Sequence, residues 1–202
     1  MSGSPEALGF DERALREQFD PGNNLTRFYE LLMEENQRVN LVSRETSRET
    51  FDRMAAECFL PLTVLSANGA WHSHLDIGAG GGFPLIPIAL AGRTEKTAAC
   101  ERTQKKASAL IRMTKGLGLD ITITPRTFED IHFEETFDLI TLRYVKLTSS
   151  ILSGISKVLA EDGVFVYYSE PSFAVDHLQV RRFRFQTSPA QPFKHFSLIS
   201  RK

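Results

Sequence analysis

Leu75-Asp76-Ile77-Gly78-Ala79-Gly80-Gly81-Gly82-Phe83-Pro84 is the stretch whose reading decides the fold. A short apolar run carrying an acid enters a glycine-rich turn and then a helix start. That is the unit by which α/β proteins bring bare backbone against a nucleotide-like ligand at the carboxyl end of a sheet. The spacing excludes two common versions of it. A dinucleotide fingerprint G-x-G-x-x-G counted from Gly78 needs glycine where Phe83 stands, and counted from Gly80 needs one at Leu85. A phosphate-cradling G-x-x-x-x-G-K-[ST] loop is excluded because no glycine of the chain is followed directly by lysine.

An acid two residues before the first of three alternating glycines resembles the D-x-G-x-G-x-G loop of S-adenosylmethionine-dependent methyltransferases. On that resemblance Asp76, Gly78, Gly80 and Gly82 are candidate cofactor residues, with Phe83 packed beside the ligand or simply in the core. Glycine suits such a turn because it reaches φ > 0 and because a Cβ would hold the ligand off the backbone. A turn that only punctuates the chain has the same composition, so a second acid carries weight. The run Lys96-Thr97-Ala98-Ala99-Cys100 reads as a second strand with Glu101 at its carboxyl end. An acid there, about 20 residues beyond the turn, is placed to accept hydrogen bonds from the ribose hydroxyls of an adenosine-containing cofactor. It is equally placed to favour the start of the next helix.

Composition narrows the class. The 202 residues carry 24 Lys and Arg against 25 Asp and Glu, so a nucleic-acid partner must be argued from a local basic face rather than from global charge. Cys58, Cys100 and five scattered histidines show no metal-ligand spacing, and no metal is expected. The apolar stretch from Phe83 to Ala91 is too short to span a bilayer. Met1 to Glu6 lacks a basic region followed by an apolar one, which gives the expectation of a cytoplasmic protein without a membrane partner.

Residues 1–70 read as a helical N-terminal region and 71–202 as the ligand-binding domain. Leu25, Phe28, Tyr29, Leu32, Asn36, Val39 and Leu41 share helical spacing after Pro21-Gly22, with Asn23 or Asn24 as cap and Asn40 to Ser43 as the end. Ser47 opens another helix through Met54, Cys58, Leu62 and Leu65, stopped at Asn68-Gly69. Strands are expected near 73–78, 96–101, 120–125, 137–142 and 164–168, alternating with helices near 84–92, 103–117 and 147–160, which implies a mostly parallel sheet. The period-two runs Arg182 to Phe185 and His195 to Leu198 flank Pro189 to Pro192 as an antiparallel closing hairpin.

Several separated segments together resemble the bacterial small-subunit (16S) rRNA guanine-N7 methyltransferases, the glucose-inhibited division protein B family. These are Asn40-Leu41-Val42, Phe83-Pro84-Leu85-Ile86-Pro87, Glu101 followed by Lys105 and Lys106, Arg126 to Glu129, and Phe137-Asp138 leading to Arg143. The resemblance implies a Rossmann-like class I α/β sheet with a helical N-terminal extension, S-adenosylmethionine as cofactor, and small-subunit rRNA or the ribosomal subunit as partner. It also implies that the backbone of Thr127 and Phe128 lies against the adenine.

Guanine N7 carries its own lone pair, so no general base is needed, and alignment of the reacting groups within about 3 to 3.5 Å supplies most of the acceleration. Arg143, expected at the carboxyl end of a strand beside the cofactor, is the candidate for gripping guanine O6, a phosphate or the cofactor. Its bland alternative is a surface arginine paired with Glu170 or Asp138. Arg38, Arg44, Arg48, Lys105, Lys106, Arg112 and Lys115 form either an RNA-facing rim or a solvated helix face.

The chain departs from the family pattern at Met54 for histidine, Leu85 for glycine, Leu142-Arg143-Tyr144 for S-R-A, and Ser169-Glu170 for a lysine-glycine pair. Two alternatives therefore stay open. One is a methyltransferase acting on a small molecule or a protein; the other is a silent protein that binds cofactor and rRNA without transfer.

Overall fold

A computed structural model describes residues 4–65, 71–172 and 178–202. In chain order the elements are β1 (Glu6–Ala7), α1 (Glu12–Phe19), α2 (Asn24–Asn36), α3 (Arg48–Val64), β2 (Trp71–Ile77), α4 (Leu85–Leu90), β3 (Thr94–Cys100) and α5 (Gln104–Gly116). They continue with β4 (Ile121–Thr124), a single 3-10 turn (Phe128–Asp130), β5 (Phe137–Leu142), α6 (Ser149–Val158), β6 (Leu159–Tyr167), β7 (Leu178–Phe185) and β8 (Lys194–Arg201). The expected helix stop at Asn68-Gly69 lies outside the described residues.

The strands form one sheet in the order β1-β7-β8-β6-β5-β2-β3-β4. Every neighbouring pair is parallel except β8 with β6 and with β7. The closing hairpin is thus antiparallel, but its second strand inserts between β6 and β7. Chain direction across the sheet reverses at β2, whose successors β3 and β4 lie on one side and β5 and β6 on the other. Register levels the strand ends there, with Ile77 opposite both Cys100 and Leu142. Gly78, Glu101 and Arg143 consequently leave the sheet side by side at the switch point, where open α/β sheets bind their ligands.

Alternation along each strand serves two buried clusters. Leu139 and Val166 face the cluster that α1 to α5 cover, whereas Leu75, Ile77, Ile140, Leu142, Phe165 and Tyr167 face the side covered by α6 and the 3-10 turn. The helical region is continuous with the first cluster. Phe19 stacks on Phe59, and Phe28 and Phe51 both contact Phe83, with ring centroids 5.1 and 5.5 Å from it. We propose that 1–70 and 71–202 are distinguishable by texture yet fold on a shared core.

Local chemistry explains where the helices begin and end. Ser47 caps α3 by accepting the Thr50 N–H, as its position in the sequence predicts. At α2 the cap comes from upstream instead. Asn23 stands at the cap position in a left-handed conformation without a side-chain cap bond, and the Asp20 carboxylate takes the N–H groups of Asn24 and Leu25 at 2.7 and 3.0 Å. The same helix stops at Asn36, earlier than expected. The buried amide oxygen of Asn36 accepts the N–H groups of Leu41 and Val42, folding the chain back on itself. α1 and β1 were not foreseen. α1 buries only Leu15 and Phe19, too few apolar positions to announce a period.

Candidate active site

A cavity of about 820 Å³ opens at the carboxyl edge of β2, β3 and β5. Its floor is Gly78 to Gly81, one wall is Leu41 to Ser43 with Thr46, and the opposite wall is Arg126 to Glu129 and Arg143 to Lys146. Gly78 has φ +72, and a Cβ there would stand 2.7 Å from Val145 Cγ2, so conformation and space both demand glycine.

The expected alternation of glycines needs one correction. Gly82 does not line the cavity: it has φ +89, and a Cβ there would meet Ile86 and Leu110 at 2.7 and 3.3 Å, in the helix packing beneath the loop. Gly81 is the missed cavity residue. A Cβ on it would come within 3.1 Å of the Leu41 carbonyl oxygen, so the Asn40-Leu41-Val42 element lies directly on the glycine loop. Phe83 touches the cavity but its ring belongs to the cluster with Phe28 and Phe51. Leu85 is fully buried in that same core.

The two acids of the motif have different surroundings. Glu101 lines the cavity, its Oε2 accepting the Gly80 N–H at 3.0 Å and its Oε1 the Thr103 N–H at 2.8 Å. It therefore ties the glycine loop to the start of α5. An ionised carboxylate has about four acceptor positions, so two are left for a ligand.

Asp76, in contrast, is 1% exposed and does not line the cavity. Thr141 Oγ1 donates to its Oδ1 at 2.6 Å, and His74 Nε2 lies 2.8 Å from the same hydroxyl. Thr141 has a single proton and gives it to Asp76, so His74 must donate through Nε2. Asp76 Oδ2 and His74 Nδ1 are buried without a hydrogen-bond partner. Burial pushes the Asp76 carboxyl up to about 7 and the His74 imidazole down to about 3. The acid expected to face the cofactor lies under the glycine loop.

Arg143 also departs from expectation. It is 4% exposed and pairs with neither Glu170 nor Asp138; Asp138 instead accepts from the Ser73 N–H and hydroxyl. Arg143 Nη2 donates to Glu57 Oε2 at 2.6 Å and to Tyr144 Oη at 3.2 Å, while Nη1 donates to the Met54 carbonyl at 3.0 Å and to Cys58 Sγ at 2.8 Å. Lys194 Nζ pairs with the other Glu57 oxygen. Burial pushes the Cys58 thiol up to about 12, so it stands as a neutral acceptor. Four of the five guanidinium N–H groups are thereby committed, and the bidentate grip on guanine expected of Arg143 is not available. The guanidinium fixes α3 against the end of β5.

Thr127 and Phe128, expected against the adenine, line the cavity. The Phe128 ring, however, turns into the second core cluster, 5.7 Å from Phe133 and against Gly154, so its backbone is what the cavity meets.

The basic rim is redistributed as well. Arg112 makes a two-pronged pair with the buried Glu35 at 2.7 and 2.6 Å, Arg48 pairs with Asp52, and Arg38 approaches Glu34 and Glu35. The Arg112 pair ties α5 to α2, whereas Arg48 and Arg38 pair with acids three or four residues away in the chain. Lys106 does line the cavity, joined by Arg102, Arg126 and Lys146, and among the described residues none of the four has an ion-pair partner. Arg102 and Lys146 went unread because each follows a strand end by two or four residues and belongs to no charged run.

No group of His, Cys, Asp and Glu among the described residues is arranged to hold a metal. No described helix is long and apolar enough to cross a membrane.

The fold is shared with solved methyltransferases. An O-methyltransferase from Bacillus cereus in complex with SAH superposes with a TM-score of 0.68 at 15% identity, over 95% of this chain and 96% of that one. The N-methyltransferase NodS from Bradyrhizobium japonicum, also with S-adenosyl-l-homocysteine, gives 0.59 at 17% identity, over 87% and 98%.

Curated relatives carry one name, "Ribosomal RNA small subunit methyltransferase G". The protein from Brachyspira hyodysenteriae is 28% identical over 144 residues, which is 71% of this chain and 69% of that protein. The one from Lactococcus lactis subsp. lactis is 27% identical over 73% of this chain and 64% of its own length. The one from Ruegeria sp. is 26% identical over 82% and 83%. The matched stretch thus spans about two thirds of the first two relatives. A family model described as rRNA small subunit methyltransferase G matches residues 22–198, from the start of α2 nearly to the end of β8, and the chain belongs to that family.

Proposed function

We propose that the cavity binds S-adenosylmethionine and presents its methyl group to N7 of a guanine in small-subunit rRNA. As a member of its family the chain is an S-adenosylmethionine-dependent rRNA methyltransferase. The observation that carries the assignment of the site is the union of bare backbone at Gly78 to Gly81 with the half-satisfied carboxylate of Glu101 in one cavity. Its volume lies within the range of small-ligand sites.

When bound, the cofactor supplies a methyl group on a sulfonium sulfur. The protein's own part is placement. Glu101 takes the ribose hydroxyls through its free acceptor positions, the Thr127 and Phe128 backbone lies against the base, and the glycine floor admits the amino-acid end. The acceptor nitrogen arrives with its lone pair, so no side chain has to remove a proton. The unpaired cations Arg102, Lys106, Arg126 and Lys146 suit a phosphate backbone, which positions RNA without reading its sequence.

Two measurements test this reading. Calorimetry should find no cofactor binding for folded Gly78→Val, whose side chain meets Val145. Glu101→Ala should lose at least tenfold in affinity, on the basis of about 1.5 to 3 kcal/mol for a hydrogen bond to a charged group. Because Glu101 also ties Gly80 to Thr103, its replacement is expected to lower the melting temperature too; wild-type affinity in either folded variant would remove the loop from the site. Mapping N7-methylated guanines in small-subunit rRNA from cells with and without the protein tests the substrate, and identical maps would sink that assignment.

A further inference from the structure

Tyr144 combines three features that folding does not explain. It is 78% exposed, the most exposed large apolar side chain among the described residues. Its backbone sits at φ 59, in the left-handed region, where a bulky residue is a genuine outlier and strain persists only when its surroundings impose it. It also lines the cavity, between the buried Arg143 and the unpaired Lys146.

The ring is nevertheless held in place. The Arg143 guanidinium carbon lies 4.8 Å from the ring centroid and Nη2 donates to Tyr144 Oη at 3.2 Å, while Glu57, Cys58 and the Met54 carbonyl fix the guanidinium from below. A cation covers part of the ring, and most of the residue stands open at the cavity mouth.

We propose that Tyr144 is the stacking platform for the acceptor base. The proposal rests on the reading of this cavity as an RNA methyltransferase site. N7 lies on a base edge, and in an RNA double helix the major groove that holds it is too deep and narrow for a protein to reach. An enzyme acting there needs an unstacked purine with its lost stacking replaced by an aromatic side chain. Tyr144 supplies that surface within the same cavity as the glycine floor, and its cationic neighbours Arg126 and Lys146 meet the flanking phosphates. Arg143 acts through Tyr144 as a positioning residue.

The test uses the full chain with naked small-subunit rRNA and with small subunits from cells lacking the enzyme. Tyr144→Ala is expected to raise KM for the better of these substrates roughly tenfold to a hundredfold, the range for loss of one base–aromatic stack. Its cofactor Kd should equal that of wild type. Tyr144→Phe and Tyr144→Trp should retain most of the activity, because both keep a ring. Tyr144→Gly should melt no lower than wild type, since glycine relieves the backbone, yet should bind RNA as weakly as the alanine variant.

Wild-type KM in Tyr144→Ala would overturn the platform. So would a loss of cofactor affinity parallel to the loss of RNA affinity, which would place the ring against the cofactor. Absence of transfer by wild type to either substrate would overturn the rRNA reading itself and this proposal with it, an outcome distinct from an active wild type with an equally active alanine variant.

Discussion

Asp76 is an acid whose burial keeps it protonated well above the usual carboxylate range. Burial dominates its environment and outweighs the Thr141 hydroxyl, the Arg143 charge and the Leu85 N–H, each of which favours the ionised form. Because its folded-state value is raised above the ordinary 3.8 to about 7, the protonated carboxyl contributes stability that is fully present below pH 4 and is lost as the pH rises through 7. Asp76→Asn, which cannot ionise, should therefore gain on wild type as the pH rises from about 5 to about 8. Parallel melting curves at several pH values check this; a constant difference between the two proteins would mean that Asp76 does not titrate in that window. The spacing of Asp76 and Glu101 located both acids in the sequence. What it did not carry is which acid faces the ligand, because that depends on the β2–β5 pairing that sets Thr141 opposite Asp76. Gly81 and Gly82 exchanged roles for a similar reason: a three-dimensional neighbour, Leu41 in one case and Leu110 in the other, decides which of two adjacent glycines lines the cavity.

Among the elements, the junction of α3, β5 and β8 is the one most dependent on charge. Glu57 on α3 lies between Arg143 after β5 and Lys194 at the start of β8, and both Glu57 and Arg143 are almost fully buried. Breaking a buried pair by removing one partner costs about 3 to 5 kcal/mol because the other charge is stranded. Lys194 still reaches Glu57, so Arg143→Ala is expected near the lower end, about 3 kcal/mol, and Arg143→Ala combined with Glu57→Leu should recover part of it. Denaturant midpoints for the three proteins form the check, and an Arg143→Ala variant as stable as wild type would show that the pair carries no such weight. The elements with strong periods, α2, α3, α5, β5 and the closing hairpin, were legible because their apolar spacing is complete within one segment. α1 and β1 were not, since each is stabilised by partners more than 30 residues away: Phe59 for α1 and the β7 register for β1. The buried setting of Arg143 was illegible on the same ground, as its counter-charge lies 86 positions upstream.

For the molecule as a whole, the first strand closes on the C-terminal hairpin. Glu6 and Ala7 pair with Phe183 and Arg184, and the Leu8 N–H donates to the Arg184 carbonyl at 2.9 Å, so a few N-terminal residues close the β7 side of an eight-stranded sheet. The opposite side is closed less by pairing than by brevity, β4 being four residues long. β7 is eight residues long and carries Val180, Phe183 and Phe185. Stripped of its short neighbour, it would present a row of unpaired N–H and carbonyl groups able to recruit the same strand from another molecule. Removing residues 1–8 should thus leave the melting temperature little changed, because β1 is exposed and makes few bonds, yet raise the tendency to self-associate. Sedimentation velocity at increasing concentration reads this directly, and a truncated protein that stays as monodisperse as the intact chain would show that Arg181, Arg182 and Arg184 repel incoming strands without help. The opening residues then have a colloidal duty: they decide whether this sheet remains the property of one molecule or becomes the first layer of an aggregate.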